Sequence, residues 1–468
     1  MKSKVTEKLA DFVSRLKYED LSESCVEQAK LALLDVIGSQ ICGARMPCAK
    51  TIISSIKRLG EKGKATIIGD GSCISGPHAA ATNAVLAEEL EYVNHSHTPV
   101  VPAALAAGES NELSGEAVIE GIVAGYEILT RIKRSMEPSQ HAFSPGMRPW
   151  WGGTFGSFGA AAAASKVMGL NKDQVISAFG YLAVSAPVPM RDAPYDGRPQ
   201  GNVDWGIHAV YFSPVFSGVM AAILAKEGYK GNQSIFDDPN GFWRMAGTDR
   251  FEATELTRDL GHRYAITDTF YKRYPHCGQL HSILFALENI IKGENISKER
   301  INEILVRVPA NVPMPIVPYF AHYDPKSPYD AQFSLPCAVS YLIFEGKPSI
   351  RWYLDDTFKN EQVLEFAKKV SLKADKEADD IALKQGNYVN TIRIRCKDNA
   401  EIEKKCESGW AFGEGSLKDK ESVEKKFRDA TTLVLPEDLV EKLAQAVLEL
   451  DQIKDVSALM NLLRTERL

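Results

Sequence analysis

The chain has 468 residues, 44% hydrophobic and 25% charged, with a net charge of −6. That balance describes a folded protein of two or three domains with a sizeable core. Its basic residues are scattered rather than gathered, which speaks against a nucleic-acid partner or an anionic membrane surface. No apolar run reaches the ~20 residues of a spanning helix and "MKSKVTEKLADF" has no signal-peptide core, so a cytoplasmic protein is expected.

In chain order, the first part reads as successive helices. "VTEKLADFVSRL" puts Val5, Leu9, Phe12, Val13 and Leu16 on one stripe at helical spacing. "SESCVEQAKLALLDVIGSQICGA" opens on a candidate N-cap, Ser22, and stops near Gly43. A short strand-like break, "KATIIGDG", precedes the small-residue helix "GPHAAATNAVLAEELEYV". "SGEAVIEGIVAGYEILTRI" starts at a cap candidate, Ser114. "GTFGSFGAAAAASKVMGL" lacks both the Lys-Ser/Thr of a P-loop and the leading strand of a dinucleotide site, so its glycines are read as close helix packing. The helical pattern runs to about residue 265.

Beyond "RYAITDTFYKRYPHC" the period changes to two. "RINEILVRVPA", "KVSLKAD" and "NTIRIRCKD" alternate as half-buried strands do, with the apolar helices "GQLHSILFALENIIKG" and "AQFSLPCAVSYLIFEG" between them. Residues 269–404 therefore read as an α+β unit. "KDNAEIEKKCESGWAFGEGSLKDKES" reads as a solvated connection, followed by an amphipathic helical tail able to pack on the first part. The eight cysteines form no CxxC pair, which argues for reduced thiols and against a structural zinc site.

Three stretches carry candidate chemistry. "EYVNHSHTP" gathers Glu91, His95 and His97 where a helix ends, although the chain has only nine histidines. These could form an acid/base corner or, with both histidines as ligands, a metal site. "YKRYPHCGQLH" places Lys272 and Arg273 before a proline turn, then His276; a helix starting there would attract an anion. "GMRPWW" offers Arg148, suited to bidentate carboxylate binding.

The run "KATIIGDGSCISGPHAAATNAVLAEELEYVNHSHTPVVPAALAAGE" resembles the MmgE/PrpD family, whose members include 2-methylcitrate dehydratases, cis-aconitate decarboxylases and iminodisuccinate epimerases. "GEAVIEGIVAGYEILTRI", "FGAAAAASKVMGL", "VMAAILAKEGYKG", "YKRYPHCGQLH", "AQFSLPCAVSYLIFEG" and "KFRDATTLVLPEDLVEKL" follow in family order, so the resemblance spans almost the whole chain. It implies a mainly α fold in which residues 1–268 and 405–468 form a large all-helical domain and 269–404 a smaller α+β lid. It also implies a homodimer and a cofactor-independent, metal-free lyase for a small di- or tricarboxylic acid, working through a carbanion-like intermediate. A racemase or epimerase, or a non-catalytic acid-binding homologue, is the alternative on the same scaffold.

The site departs from the family pattern. Glu91 stands at the leading acid position, with Val93 and Asn94 at the acids that follow. Either His95 or His97 stands for the family's His-Pro histidine, His97 being favoured because it precedes the Thr98-Pro99 turn. Arg148 replaces a "GFHP" histidine, His208 lies near the place of a missing lysine, and Cys337 replaces a lid tyrosine; Lys272 is retained. The expected catalytic set is thus His97, His95, Glu91 and Lys272, and the expected substrate-binding set Arg148, Arg273, His208, Cys337 and His276. A carboxylate and a helix end beside the catalytic histidine should raise its pKa.

Overall fold

The structure is a computed structural model that describes residues 4–136, 151–188, 206–237, 242–246, 248, 250–310, 317, 320–354, 357–385, 388–408 and 415–464. Its fold is mainly α with a small α+β part. The serine caps work as their positions suggest. Ser22 Oγ accepts from the Cys25 N–H at the start of the Glu23–Gly43 helix, and Ser114 Oγ accepts from the Ala117 N–H at the start of Gly115–Ser135. The "KATIIGDG" break is a two-residue antiparallel pair, β1 (Ala65–Thr66) with β2 (Cys73–Ile74).

The Gly76–Glu88 helix is apolar nearly all round and buried over almost its whole length, as a central helix must be. It is flanked by the helices Glu23–Gly43, Val100–Ser110 and Phe212–Lys226. Glycines bring Gly115–Ser135 against Trp151–Val167: a Cβ on Gly125 would lie 2.7 Å from the Gly159 carbonyl oxygen. The glycine-rich run is therefore a helix-packing surface here.

A second core is built on a four-stranded sheet, β3 (Ile301–Val308), β4 (Val370–Ala374), β5 (Tyr388–Cys396) and β6 (Glu401–Ser408), in the order β4-β3-β5-β6. β3 and β4 run parallel and the other pairs antiparallel. Helices His281–Gly293 and Leu335–Glu345 pack on it. β6 corrects the reading of 397–422 as a solvated connection and moves the α+β boundary past 404. Its sequence "EIEKKCES" hides the strand because it is an edge, where charged residues guard against further pairing. Across 401–406, the part whose burial is described, Cys406 is buried and Ile402 partly so, while Glu403 faces Arg393 across the ladder at 2.7 Å.

The tail joins the helical core. Lys420–Thr431 and Glu437–Leu448 pack on Glu23–Gly43, and Phe427, Val440, Leu443 and Val447 enter the same apolar cluster as the first helices. The second core in turn takes in Cys42, Met46, Val85, Leu90 and Tyr92 from the helical part, so the two units share an apolar seam. All eight cysteines are free thiols. Among the described residues no helix is long and apolar enough to cross a membrane.

One buried ion pair anchors the tail. Lys426 Nζ donates to Asp35 Oδ1 at 2.5 Å and to the Tyr92 carbonyl, and sits 3.9 Å from the Tyr92 ring centroid. Burial would push the Asp35 carboxyl up, yet Lys426 and His97 outweigh it and hold it low. Lys426→Met leaves that carboxylate uncompensated and should destabilise the protein by about 3–5 kcal/mol. Urea denaturation checks this, and the double variant Asp35→Asn/Lys426→Met should regain part of the loss.

Candidate active site

The stretch after the central helix is shaped by one backbone turn. The helix ends at Glu88, earlier than "AAATNAVLAEELEYV" suggests, because Glu91 takes a left-handed conformation with φ 49°. A non-glycine residue there is uncommon and strained by about 1–3 kcal/mol, and such strain collects at functional sites. The turn carries Glu88, Glu89 and Glu91 into three different surroundings, all three buried.

Glu91 meets Lys272. The Lys272 ammonium donates to Glu91 Oε2 at 2.5 Å, and the two side chains are only 0% and 3% exposed. Burial alone would raise the Glu91 pKa; Lys272, His95 and His208 outweigh it and hold the carboxyl at about 2. Lys272 is placed by the residue before it, since Tyr271 exchanges backbone hydrogen bonds with Leu417 and its hydroxyl donates to Gln28.

His95 lies over this pair. Its Nδ1 is 2.7 Å from Glu88 Oε2 and its Nε2 is 3.3 Å from Lys272 Nζ and 3.6 Å from Glu91 Oε2. A carboxylate can only accept, so the Nδ1 proton points at Glu88 and Nε2 keeps a lone pair directed at the ammonium. Thr98 Oγ1 donates to the other Glu88 oxygen at 2.5 Å, fixing the carboxylate. With 29% of its side chain exposed, His95 is the member of this group open to solvent. The Tyr211 ring lies parallel to it, 6.4 Å away.

His97, expected as the proton-transferring group, points away from the Lys272–Glu91 pair. It is 1% exposed, with Nε2 2.9 Å from Thr269 Oγ1, Nδ1 3.8 Å from Asp35 and its ring between Tyr126 and Tyr271. Burial lowers its pKa despite Asp35, the reverse of the upward shift expected for a catalytic histidine. Its sequence spacing from His95 gave no sign of this, because the turn sends alternate side chains to opposite sides.

His208 is fully buried beside the group; burial drives its pKa down to about 4, with Glu91 and Glu88 pulling the other way. Its ring packs on Tyr329 at 4.9 Å. Three other expected substrate contacts have protein partners or core surroundings. Arg273 forks onto Glu288 and stacks over Phe285. His276 is buried between the Cys277 N–H, which donates to Nδ1, and the Ser334 carbonyl; burial takes it to about 3. Cys337 is 0% exposed in the second core, at the first turn of Leu335–Glu345, and burial raises its thiol to about 12. The expected helix N-terminus after Pro275 begins only at His281, after a single 3-10 turn. Arg148 lies outside the described residues. Glu88 and Tyr329 were missed by sequence reading; Glu88 precedes the quoted motif by three residues, a spacing that only the helix end makes meaningful.

Glu88, Glu91 and His95 offer three ligand atoms within 4.8 Å of one another, the kind of grouping that can hold a metal ion. The Lys272 ammonium already supplies a positive charge at the same two groups, 2.5 Å from Glu91, and would repel a divalent cation there. His97 is not part of that cluster.

A carboxylate-oriented imidazole faces a buried ammonium where the helical and α+β parts meet, groups whose chemistry suits proton transfer and the holding of an anion. The sequence model of the MmgE/PrpD N-terminal domain matches residues 7–254, and that of the MmgE/PrpD C-terminal domain matches 274–452. The chain belongs to the MmgE/PrpD family. It is similar to the cis-aconitate decarboxylase of Aspergillus terreus, 25% identical over 99% of this chain and 96% of that protein. The cis-aconitate decarboxylases of Homo sapiens and Mus musculus are 23% and 24% identical, each over 99% of this chain and 95% and 94% of their own length.

The buried pair should show in acid. Glu91 has a folded pKa below its unfolded value of 4.5, so its stabilisation is complete above about 4.5 and lost as pH falls towards about 2. The difference in unfolding free energy between wild type and Glu91→Gln should therefore shrink as urea titrations move from pH 5 to pH 3. An unchanged difference would show that the carboxylate is not held by Lys272.

Proposed function

We propose that the protein is a cofactor-independent lyase that makes or breaks a bond beside a carboxylate of a small di- or tricarboxylic acid. The observation that carries this is the array Glu88–His95–Lys272–Glu91. In it His95 Nε2 moves the proton at the carbon next to the substrate carboxylate. Glu88 holds the imidazole in the tautomer with its proton on Nδ1 and balances the imidazolium when it forms. The Lys272 ammonium, paired with Glu91, lies where negative charge collects on the carboxylate-stabilised carbanion. His208, neutral in its buried setting, and Arg148 are assigned to the remaining substrate carboxylates.

In a decarboxylation the bond to the departing carboxylate breaks, CO₂ leaves and the electron pair stays on carbon. His95, first protonated at Nε2 from solvent, gives carbon that proton and is left as the neutral imidazole. In a dehydration the imidazole takes the proton and the β-hydroxyl leaves. The relatives' names make cis-aconitate the first acid to test, and the family resemblance makes a homodimer the expected assembly.

Incubation with cis-aconitate and related acids in D₂O, followed by NMR, tests the reading. His95→Asn should slow deuterium incorporation by about 10²–10⁴-fold, the usual worth of a positioned acid/base group. Lys272→Met should weaken substrate affinity by roughly tenfold or more, the loss of one charge-assisted contact. His97→Asn, assayed below its unfolding temperature, should retain exchange. If His95→Asn exchanges at the wild-type rate, the assignment fails; if exchange requires added zinc, the three-ligand metal reading replaces it. Exchange without net conversion identifies an epimerase, and binding without exchange a non-catalytic homologue.

A further inference from the structure

The third glutamate of the turn has a different neighbour. Glu89 is 0% exposed and has no cationic partner among the described residues. Its Oε2 accepts from the Tyr329 hydroxyl at 2.6 Å, and its backbone carbonyl accepts from Gln332 Nε2 at 2.9 Å. Tyr329 and Gln332 lie on the short helix Pro328–Gln332 of the α+β unit, whereas Glu89 caps the central helix of the other unit. The Cys48 N–H donates to the Tyr329 oxygen at 3.0 Å, so the phenol is fixed from both sides. The other face of Tyr329 is occupied by the His208 ring, 4.9 Å away. His208 has no side-chain hydrogen-bond partner among the described residues; the Glu88 backbone and the packed Tyr329 ring are its neighbours.

We propose that Tyr329 and Glu89 are a positioning pair: Glu89 fixes the Tyr329 phenol across the seam, and the phenol ring sets His208 against the substrate. This rests on the site reading given above and adds two residues to it. A buried carboxyl without a cation favours its neutral form. Burial raises Glu89 from 4.5 to about 7, opposed by the hydrogen bond from Tyr329 and by the nearby Cys48 thiol and Ala49 N–H. The titratable groups facing it are Tyr329 and Cys48, both themselves pushed up by burial, so neither supplies a charge at neutral pH. Above about pH 7 the pair holds an uncompensated buried carboxylate, and the seam beside His208 loosens.

Two arms test this with the full chain. The first needs no substrate. Between about 4.5 and about 7 the folded state binds the extra proton, so stability falls as pH rises through that window and then levels. Urea midpoints of wild type should decline from pH 5 to 8 relative to Glu89→Gln, whose amide oxygen still accepts from Tyr329 but does not titrate. Parallel curves would overturn the proposal whatever the protein does to substrates. The second arm measures cis-aconitate affinity and turnover. Tyr329→Phe should raise KM about tenfold with kcat changed less than threefold. Wild-type KM should rise between pH 6 and 8.5 while that of Glu89→Gln stays flat. A KM unmoved in Tyr329→Phe, or the same pH rise in both proteins, sinks the positioning role. If cis-aconitate neither binds nor reacts while the stability curves diverge, the proton on Glu89 stands and it is the substrate assignment that fails.

Discussion

The buried pair between Glu91 and Lys272 is the constraint on which the rest of the site depends. Each charge would be expensive to bury alone, on the order of several kcal/mol, and each is tolerable only opposite the other. Glu91 comes from the helical part and Lys272 from the segment that leads into the α+β part, so the pair also fixes how the two meet. The left-handed turn at Glu91 follows from this demand, since a continuing helix would carry the carboxylate away from the ammonium. His95, four residues on, then finds both its nitrogens engaged, one by Glu88 and the other by Lys272.

Within four residues, Glu88, Glu89 and Glu91 show how surroundings divide identical groups. Glu91 is held at about 2 by an ammonium, while Glu89, equally buried but facing a phenol, is raised to about 7. Glu88 accepts from Thr98 and orients His95. Carboxyls whose environments are pushed apart in this way can take separate duties in one site: a counter-ion, a proton holder and an orienting group.

A second buried network lies behind the first. Lys426 from the tail pairs with Asp35 and grips the Tyr92 carbonyl, one residue from Glu91. Asn94 donates to the Phe270 carbonyl and His97 meets Thr269, two and three residues before Lys272. The loop bearing Glu91 and His95 and the segment bearing Lys272 are thus fastened to each other and to the tail. Distances of 2.5 to 3.6 Å among the site groups need such support, because a displacement of about 1 Å would undo them.

The sequence by itself determined the helices, most strands, the serine caps and the family, because these depend on local period, capping chemistry and motif order. It also singled out "EYVNHSHTP" and "YKRYPHC", two stretches that meet in the fold. It missed β6, whose edge-strand charges cancel the alternation that reveals a strand. It could not say which histidine faces the ammonium. His95 and His97 are two residues apart in a turn whose path is set by Glu91 and Lys272, 181 positions apart in the chain. Only the tertiary structure brings those two charges together, and their pairing turns His95 outward to the site and His97 inward to Asp35. The same holds for Glu89 and Tyr329, ordinary residues in the sequence that become a pair only across the seam.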